Sequence, residues 1–124
     1  MKIIDLAFVC YAVTDLKKGR RFYEKVLGLK ETKSWVSPDG KMGMIEYDIG
    51  AGTLAIGAGA DVFKPGAKGG VAALEVEDFD AAIRHLKKRR VKFKGKPHDS
   101  PVCQMAILSD PDGNTLVVHR RKNR

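Results

Sequence analysis

Cysteine is scarce in this sequence, which limits what can hold the fold together. The 124 residues include two cysteines, Cys10 and Cys103. This is too few for the disulfide framework on which many small secreted domains depend. Both lie in strand-like stretches, where a free cysteine behaves as a small buried hydrophobic residue. With 44% hydrophobic residues, the chain can instead bury the apolar core of a single domain spanning 1–124.

Long hydrophobic runs are also lacking. A membrane-spanning helix needs roughly 18 to 20 consecutive apolar residues, and no stretch of the chain provides them, so we expect no membrane partner. The apolar stretch 3–13 is interrupted by Asp5 and followed at once by a helix motif. It is therefore typical of a first strand rather than of a signal peptide. The sequence predicts a soluble, cytoplasmic protein.

Acidic residues are few relative to basic ones. The chain has 15 Asp and Glu against 23 Lys and Arg, a formal net charge of +8. The excess lies on two predicted helices and on the tail 120–124, and such clusters are typical of solvated surfaces. A nucleic-acid-binding module is the alternative. The chain has no recognised DNA-binding motif and no interleaving of aromatic and basic residues, so the sequence argues against a nucleic-acid partner.

The sequence does contain an internal repeat. Val13-Thr14-Asp15-Leu16 in the first half recurs as Val76-Glu77-Asp78-Phe79 in the second. In both copies an apolar strand leads through an aspartate, which can accept hydrogen bonds from the first free amides of a helix, into an amphipathic helix. The first of these helices is followed by Gly28, and glycine readily takes the left-handed conformation that ends a helix. Such a repeat constrains the architecture before any chemistry is considered.

The order of elements predicts an α+β fold made of two βαβββ modules. Module one spans 1–57, module two spans 71–124, and a glycine-rich linker, 58–70, joins them. Turn-forming residues separate the strands, and the stretch 95–101, which contains two prolines, is predicted to be a loop. The predicted strands are 3–13, 30–36, 42–49, 53–57, 71–76, 91–94, 102–108 and 115–120, and the predicted helices are 15–27 and 78–90.

Several short motifs accompany the repeat. They are VTDL, FY and VLGL in module one, VEDFDAAI in module two, and DPDGN before the last strand. Their order and spacing resemble the vicinal oxygen chelate superfamily, which groups glyoxalases, bleomycin-resistance proteins and extradiol dioxygenases. The resemblance covers essentially the whole chain. It implies that each module curls into half of an incomplete barrel with a concave cleft. For catalytic members it also implies one divalent metal, which acts as a Lewis acid and is held by His, Gln or Glu on four strands.

The positions that match the family's metal ligands hold residues that cannot bind a metal. Two lie seven residues before the aspartates of VTDL and VEDF, a third lies three residues after the asparagine of DPDGN, and the fourth is the repeat counterpart of the third. They are Phe8, Ala55, Val71 and Val117. None has a side-chain donor, and a divalent cation needs several. The sequence therefore predicts no metal and no other cofactor. A displaced metal site formed by Cys10, Glu75 and His119 is the alternative.

Strand alternation predicts which residues share a face with those four positions. The predicted ligand-binding set is mostly small and apolar, with two polar members, while the opposite face is uniformly apolar and packs on the helices. The set consists of Phe8, Cys10, Ala55, Gly57, Val71, Ala73, Glu75, Val117 and His119, with Trp35 as either a flap over the cleft or a core residue. Alternation alone does not decide whether Met44 and Glu46 face the cleft.

Glu75 and His119 are the candidate catalytic residues. Histidine titrates near neutrality, so the two could form an acid–base or hydrogen-bonding pair. The alternative is that they mark a strand end that merely faces water. His85 and His98 are assigned no role.

These observations favour a metal-free small-molecule-binding protein of the glyoxalase/bleomycin-resistance type. Its apolar cleft would take a neutral or anionic organic ligand, since a net charge of +8 raises the local concentration of anions. The alternative is a lyase, isomerase or dioxygenase-like enzyme with a relocated or degenerate active site. A homodimer is expected, because half-barrel modules leave strand edges that a second copy can cover.

Overall fold

The computed structural model describes Lys2, Ile4, residues 7–60 and residues 63–122. The chain forms two compact units, Met1–Pro65 and Gly66–Arg124, whose boundary falls within the stretch 58–70. Parts of the predicted first strand, the linker and the basic tail lie outside the described residues. These are Ile3, Asp5, Leu6, Asp61, Val62, Asn123 and Arg124. No helix in the described part of the chain is long and apolar enough to span a membrane.

Unit one is a four-stranded sheet with one helix. Its elements are β1 (Val9–Ala12), α1 (Leu16–Arg20, continued by a π-helical segment, Arg21–Val26), β2 (Glu31–Val36), β3 (Gly43–Ile49) and β4 (Gly52–Ala58). The strand order is β1-β4-β3-β2. Strand β1 runs parallel to β4, and the other neighbours are antiparallel. The first strand of the unit therefore lies beside its last.

Helix α1 begins and ends where the sequence predicts. The Asp15 carboxylate accepts hydrogen bonds from the backbone N of Lys17 and Lys18, at 2.8 and 3.3 Å, which satisfies two amides that have no partner within the helix. After the helix, Gly28 has a φ of 77°, the left-handed conformation that glycine adopts without a steric penalty. Both signals are local in sequence, which explains why they could be predicted.

The second half of this helix is π-helical, whereas a regular α-helix is predicted. The sequence predicts one regular helix, but the structure is α-helical only over Leu16–Arg20 and π-helical over Arg21–Val26. There the backbone N of Leu27 donates to the O of Phe22 at 3.0 Å, one residue further back than in an α-helix. The neighbours Phe22 and Tyr23 are both buried in this segment.

Three tyrosines join the helix of unit one to its sheet. The ring of Tyr23 lies 6.4 Å from that of Tyr11 and 6.3 Å from that of Tyr47, measured between centroids. The Tyr47 hydroxyl donates to Oε2 of Glu24 at 2.9 Å, and Arg20 contacts the same oxygen at 3.0 Å. Burial, together with the Glu24 carboxylate, raises the pKa of Tyr47, so its hydroxyl remains a neutral donor.

Unit two repeats the architecture of unit one. Its elements are β5 (Ala72–Glu75), α2 (Phe79–Lys88), β6 (Lys92–Phe93), β7 (His98–Asp99), β8 (Cys103–Ser109) and β9 (Thr115–Arg121). The strand order is β5-β9-β8-β6, and β7 also pairs with β8. Strand β5 runs parallel to β9, so this unit too places its first strand beside its last. The α+β fold with two repeated modules is therefore as predicted.

Helix α2 follows its sequence signals. The Asp78 carboxylate accepts from the backbone N of Ala81 at 3.0 Å, as expected of the residue that caps a helix. Phe79, Ile83 and Leu86 are buried at the spacing of one helical face. This apolar stripe packs against the sheet of unit two.

One predicted loop contains a strand. The stretch 95–101 was expected to be irregular because of its prolines, but His98 and Asp99 pair with Met105 and Gln104 of β8. A proline lacks the N–H that a strand ladder requires, and the prolines on either side limit the strand to two residues. The prediction was wrong at these two positions.

The DPDGN motif forms a closed network of hydrogen bonds between β8 and β9. Oδ1 of Asp110 accepts from the backbone N of Asp112 and Asn114, at 2.9 and 2.8 Å, and its Oδ2 accepts from the Asn114 side-chain amide at 2.8 Å. The side-chain oxygen of Asn114 accepts from the backbone N of Gly66 at 3.0 Å. Asp110 and Asn114 can therefore be buried, since each is satisfied by partners.

Candidate ligand-binding site

The first sheet has one face that packs on the helix and an opposite face, which we call the helix-free face. Residues directly opposite on neighbouring strands share a face. The two central rows of the helix-free face are Cys10–Ala55–Glu46–Lys33 and Ala12–Gly57–Met44–Trp35. Met44 and Glu46 therefore lie on the same face as the predicted site residues Cys10, Ala55 and Gly57, which answers the question that alternation left open.

An aromatic ring lies directly over Gly57. A Cβ built at this glycine would be 2.5 Å from Cζ of Phe63 and 2.6 Å from its Cε1, far closer than real side chains approach. The helix-free face therefore includes Phe63, which sequence reasoning missed because it lies in the stretch interpreted as a linker. Two signals were available: a glycine inside a strand indicates a close approach, and Phe63 is the only aromatic residue of 58–70.

Cys10 provides a neutral thiol on this face. It is half-buried, and its Sγ lies 3.7 Å from the backbone O of Tyr11. Burial, and secondarily the negative charge of Glu46, raises the pKa of the Cys10 thiol to about 11. Since the thiolate is the form that attacks electrophiles and binds metals, Cys10 is unsuited to either role near neutral pH.

Three predicted residues are largely exposed. Phe8 is 43% exposed just before β1, and Val71 is 54% exposed just before β5. Trp35 is 58% exposed on β2, the edge strand of the first sheet. Trp35 is therefore not a core residue, and its ring is available for contact.

The helix-free face of the second sheet carries the remaining predicted residues. Its two central rows are Ala73–Val117–Ile107 and Glu75–His119–Met105–His98. Val117 is buried, whereas Ala73 is exposed. The first row is wholly apolar, and the second places Glu75 directly opposite His119.

Glu75 and His119 form a close pair. Oε1 of Glu75 lies 2.6 Å from Nδ1 of His119, and Oε2 accepts a hydrogen bond from the backbone N of Arg121 at 2.7 Å. The two side chains are only 27% and 21% exposed. They are therefore a fixed, partly buried pair rather than two side chains that independently face water.

The residues present do not fit the metal that the family's catalytic members bind. Phe8, Ala55, Val71 and Val117 have no side-chain donor atoms. Within either unit, the described His, Cys, Asp and Glu side chains form no group of three or more that could hold a metal ion. Glu75 and His119 supply two donors, and a tightly held divalent ion needs more protein ligands than that.

Unit two also has two surface grooves, on the other side of its sheet. One, of about 550 Å³, is lined by Glu77, Asp78, Phe79, Asp80, Gln104 and Arg120. The other, of about 380 Å³, lies beside it and shares Phe79, Asp80 and Gln104. Gln104 and Arg120 alternate along their strands with Met105 and His119, so the grooves lie on the face that packs on α2. None of the predicted site residues lines them.

Proteins similar to this chain include an antibiotic binding protein and a transferase. The solved structure of TnmS3, an antibiotic binding protein from Streptomyces sp. CB03234, superposes with a TM-score of 0.78 at 26% identity, covering 98% of this chain and 99% of that one. A glyoxalase/bleomycin resistance protein from the same organism gives a TM-score of 0.72 at 27% identity, over 92% and 98% of the two chains. The metallothiol transferase FosB of Staphylococcus epidermidis is 22% identical over an alignment 132 residues long. The alignment covers 96% of this chain and 83% of FosB.

The family model described as glyoxalase/bleomycin resistance protein/dioxygenase superfamily matches residues 5–118. That range covers most of both repeated modules and the whole DPDGN turn. The chain belongs to this superfamily.

Proposed function

We propose that this chain is a cytoplasmic protein that binds a neutral or anionic organic molecule without a metal ion. The observation that carries the proposal is the chemistry of four positions, Phe8, Ala55, Val71 and Val117, at which catalytic relatives hold a metal. In the strand register Ala55 lies between Cys10 and Glu46, and Val117 between Ala73 and Ile107. Three of these four neighbours, Cys10, Ala73 and Ile107, are apolar, which favours contact with an organic surface.

Aromatic and thioether side chains add to that surface. Phe63 lies over Gly57, and Met44 and Trp35 continue the same row across the sheet. Such side chains contribute large contact areas with little polar character. The name of TnmS3, an antibiotic binding protein, supports a binding role in this fold. The name of FosB, a metallothiol transferase, supports the enzymatic alternative, and the missing donors favour the former.

Calorimetric titration tests the proposal. Protein prepared without a His-tag and treated with EDTA is titrated with a panel of aromatic molecules matched in size, which are neutral, anionic or cationic. We expect neutral or anionic members to bind, with affinities that added Zn²⁺ or Mn²⁺ leaves unchanged. Binding that appears only after metal is added, or only for cations, contradicts the proposal. Elemental analysis that found about one metal per chain in untreated protein would also reject it.

A second candidate function rests on the Glu75–His119 pair. A carboxylate that orients an imidazole is a common arrangement for general acid–base catalysis, so a lyase or isomerase that needs no metal is the alternative. The two functions differ in outcome. An enzyme converts a bound panel member into a product that mass spectrometry detects, and His119→Leu abolishes the conversion. A binding protein returns the molecule unchanged.

We also propose that the chain forms a homodimer. All six residues of β2 are exposed, including Trp35 and Val36, and β2 is an edge strand of its sheet. An exposed edge with apolar side chains is readily covered by a second copy. Light scattering should give twice the mass of one chain, and Val36→Lys should reduce it towards that of one chain. A monodisperse monomer of the unaltered protein at micromolar concentration contradicts this proposal.

A further inference from the structure

His119 is held through one ring nitrogen. Nδ1 lies 2.6 Å from Oε1 of Glu75, and Glu75 is itself fixed by the hydrogen bond that its Oε2 accepts from the backbone N of Arg121. An ionised carboxylate only accepts hydrogen bonds, so this contact places a hydrogen on Nδ1. In the neutral imidazole the lone pair then resides on Nε2.

The second ring nitrogen is uncommitted. Within the described residues, no hydrogen bond is made to Nε2 of His119, and the side chain is 21% exposed. Besides Glu75, its neighbours on this face are Met105, directly opposite on β8, the apolar pair Val117 and Ala73 in one adjacent row, and Arg121 and Cys103 in the other. A single basic nitrogen therefore stands at the margin of an apolar surface.

The charged groups around this nitrogen favour an oxyanion. Glu75 on β5 is the carboxylate of the pair, Arg121 lies on the same face two residues further along β9, and β8 contributes no charged residue to the two rows. On β7, His98 lies in the same row beyond Met105, and Asp99 is ion-paired with Lys122. Glu75 can balance an imidazolium at His119, and that imidazolium in turn can pair with a ligand anion.

We infer that Nε2 of His119 anchors a ligand that carries an acidic hydroxyl group, such as a phenol or an enol. This inference rests on the proposed ligand-binding function and names the class of ligand. The hydroxyl donates its hydrogen to Nε2 while the body of the ligand lies on Val117 and Met105. With an acidic hydroxyl the proton moves from the ligand oxygen to Nε2, which leaves an oxyanion paired with the imidazolium. An ether oxygen only accepts and gains nothing from the neutral imidazole.

Two matched probes test the inference. 4-Nitrophenol has the acidic hydroxyl, and 4-nitroanisole replaces its hydrogen with a methyl group. Titrations at about pH 7, above the ordinary pKa of a histidine, should show 4-nitrophenol binding about tenfold more tightly than 4-nitroanisole, the factor expected for a hydrogen bond to a charged group. The absorption band of nitrophenolate should grow on binding, because the bound probe gives its proton to Nε2.

Variants separate the anchor from a merely structural role. His119→Leu should make the two probes bind equally, with the affinity for 4-nitroanisole unchanged. His119→Gln retains a hydrogen-bonding group, so it should keep part of the preference but lose the nitrophenolate band. Glu75→Gln removes the balancing charge and should weaken the band, as expected of a positioning residue. His85→Gln, on helix α2, is the matched histidine control and should leave both readings unchanged.

The outcomes distinguish the inference from the function on which it rests. Equal binding of both probes by the unaltered protein, or a preference that survives His119→Leu, overturns the role of His119 and leaves ligand binding intact. If neither probe binds while other panel members do, the hydroxyl class is wrong and the binding function stands. If no molecule of either kind binds, both are wrong.

Discussion

The pair Ala12–Gly57 in unit one and the pair Glu75–His119 in unit two occupy corresponding positions of the internal repeat. Both link the first strand of a unit to its last, in the same parallel register. In unit one the two residues are so small that the ring of Phe63 rests on Gly57. In unit two they form a hydrogen-bonded polar pair.

The difference shows how one backbone arrangement supports two surface chemistries. The helix-free face of unit one offers apolar contact area, whereas that of unit two offers a directed hydrogen bond. Apolar surface and directed polar groups contribute differently to ligand binding, the first to affinity and the second to orientation. The three predictions below test this contrast, beginning with the largest expected effect.

The first prediction concerns the thiol of unit one. Because the pKa of Cys10 is raised to about 11 from 9.0, its thiolate fraction near neutral pH should be about 100-fold below that of an ordinary thiol. Alkylation by iodoacetamide, followed in a Cys103→Ser background, should be slower by about that factor and should accelerate as the pH rises to about 11.

Two further observations sharpen this test. Glu46→Gln should lower the Cys10 pKa only modestly, since burial is the larger cause. The unfolded chain loses the thiol proton near pH 9 and the folded one only near 11. The preference of the folded state for the protonated Cys10 thiol therefore stabilises the fold fully below pH 9. This stabilisation is lost as the pH rises through 11. Rapid alkylation of Cys10 at neutral pH would show that the face is more polar than described.

The second prediction tests the contact between Gly57 and Phe63. Gly57→Leu should lower the free energy of unfolding by about 1–3 kcal/mol, since the new side chain must displace the ring. The cost should shrink when Phe63→Ala is also present, because the two residues are in contact. Gly69→Ala, where a Cβ meets nothing within 4 Å, is the control. Denaturant unfolding measures all of these, and an equal cost in both backgrounds contradicts the described contact.

The third prediction concerns Glu75. Glu75→Ala leaves Nδ1 of His119 and the backbone N of Arg121 without their acceptor. We expect a loss of about 1 kcal/mol in the free energy of unfolding, the usual contribution of such hydrogen bonds at a partly exposed site. Thermal unfolding gives the measurement, with Glu77→Ala as the matched control. An unchanged or higher melting temperature would mean that the pair makes no net contribution to stability.

The features that the sequence predicts well are those with local signals. The caps at Asp15 and Asp78, the glycine after the first helix and the DPDGN turn each depend on a few neighbouring residues. Strand alternation alone also places Glu75 and His119 on the same face. Capping and alternation signals occur in each half of the chain, and together they are sufficient to define the two α+β modules.

The features that escaped prediction depend on contacts between distant segments. The side on which Met44 and Glu46 lie follows from the pairing of β3 with β4, and a strand's alternation does not specify its register. The contact of Phe63 with Gly57 required the return of a supposed linker across the sheet. The π-helical winding of Arg21–Val26 accompanies the burial of adjacent aromatic residues, which a regular helical period does not anticipate.

The pairing of first and last strands has a consequence for synthesis on the ribosome. Among the strands that the structure describes, β5 pairs with β9, Thr115–Arg121, which is the last of them to emerge. Until then the nascent chain presents the ladder edge of β5 and the apolar side chain of Leu74 to its surroundings, and unpaired edges of this kind favour aggregation. Because this pairing is long in sequence separation, it also slows folding. The synthesis of β9 therefore decides when β5 joins the sheet of unit two.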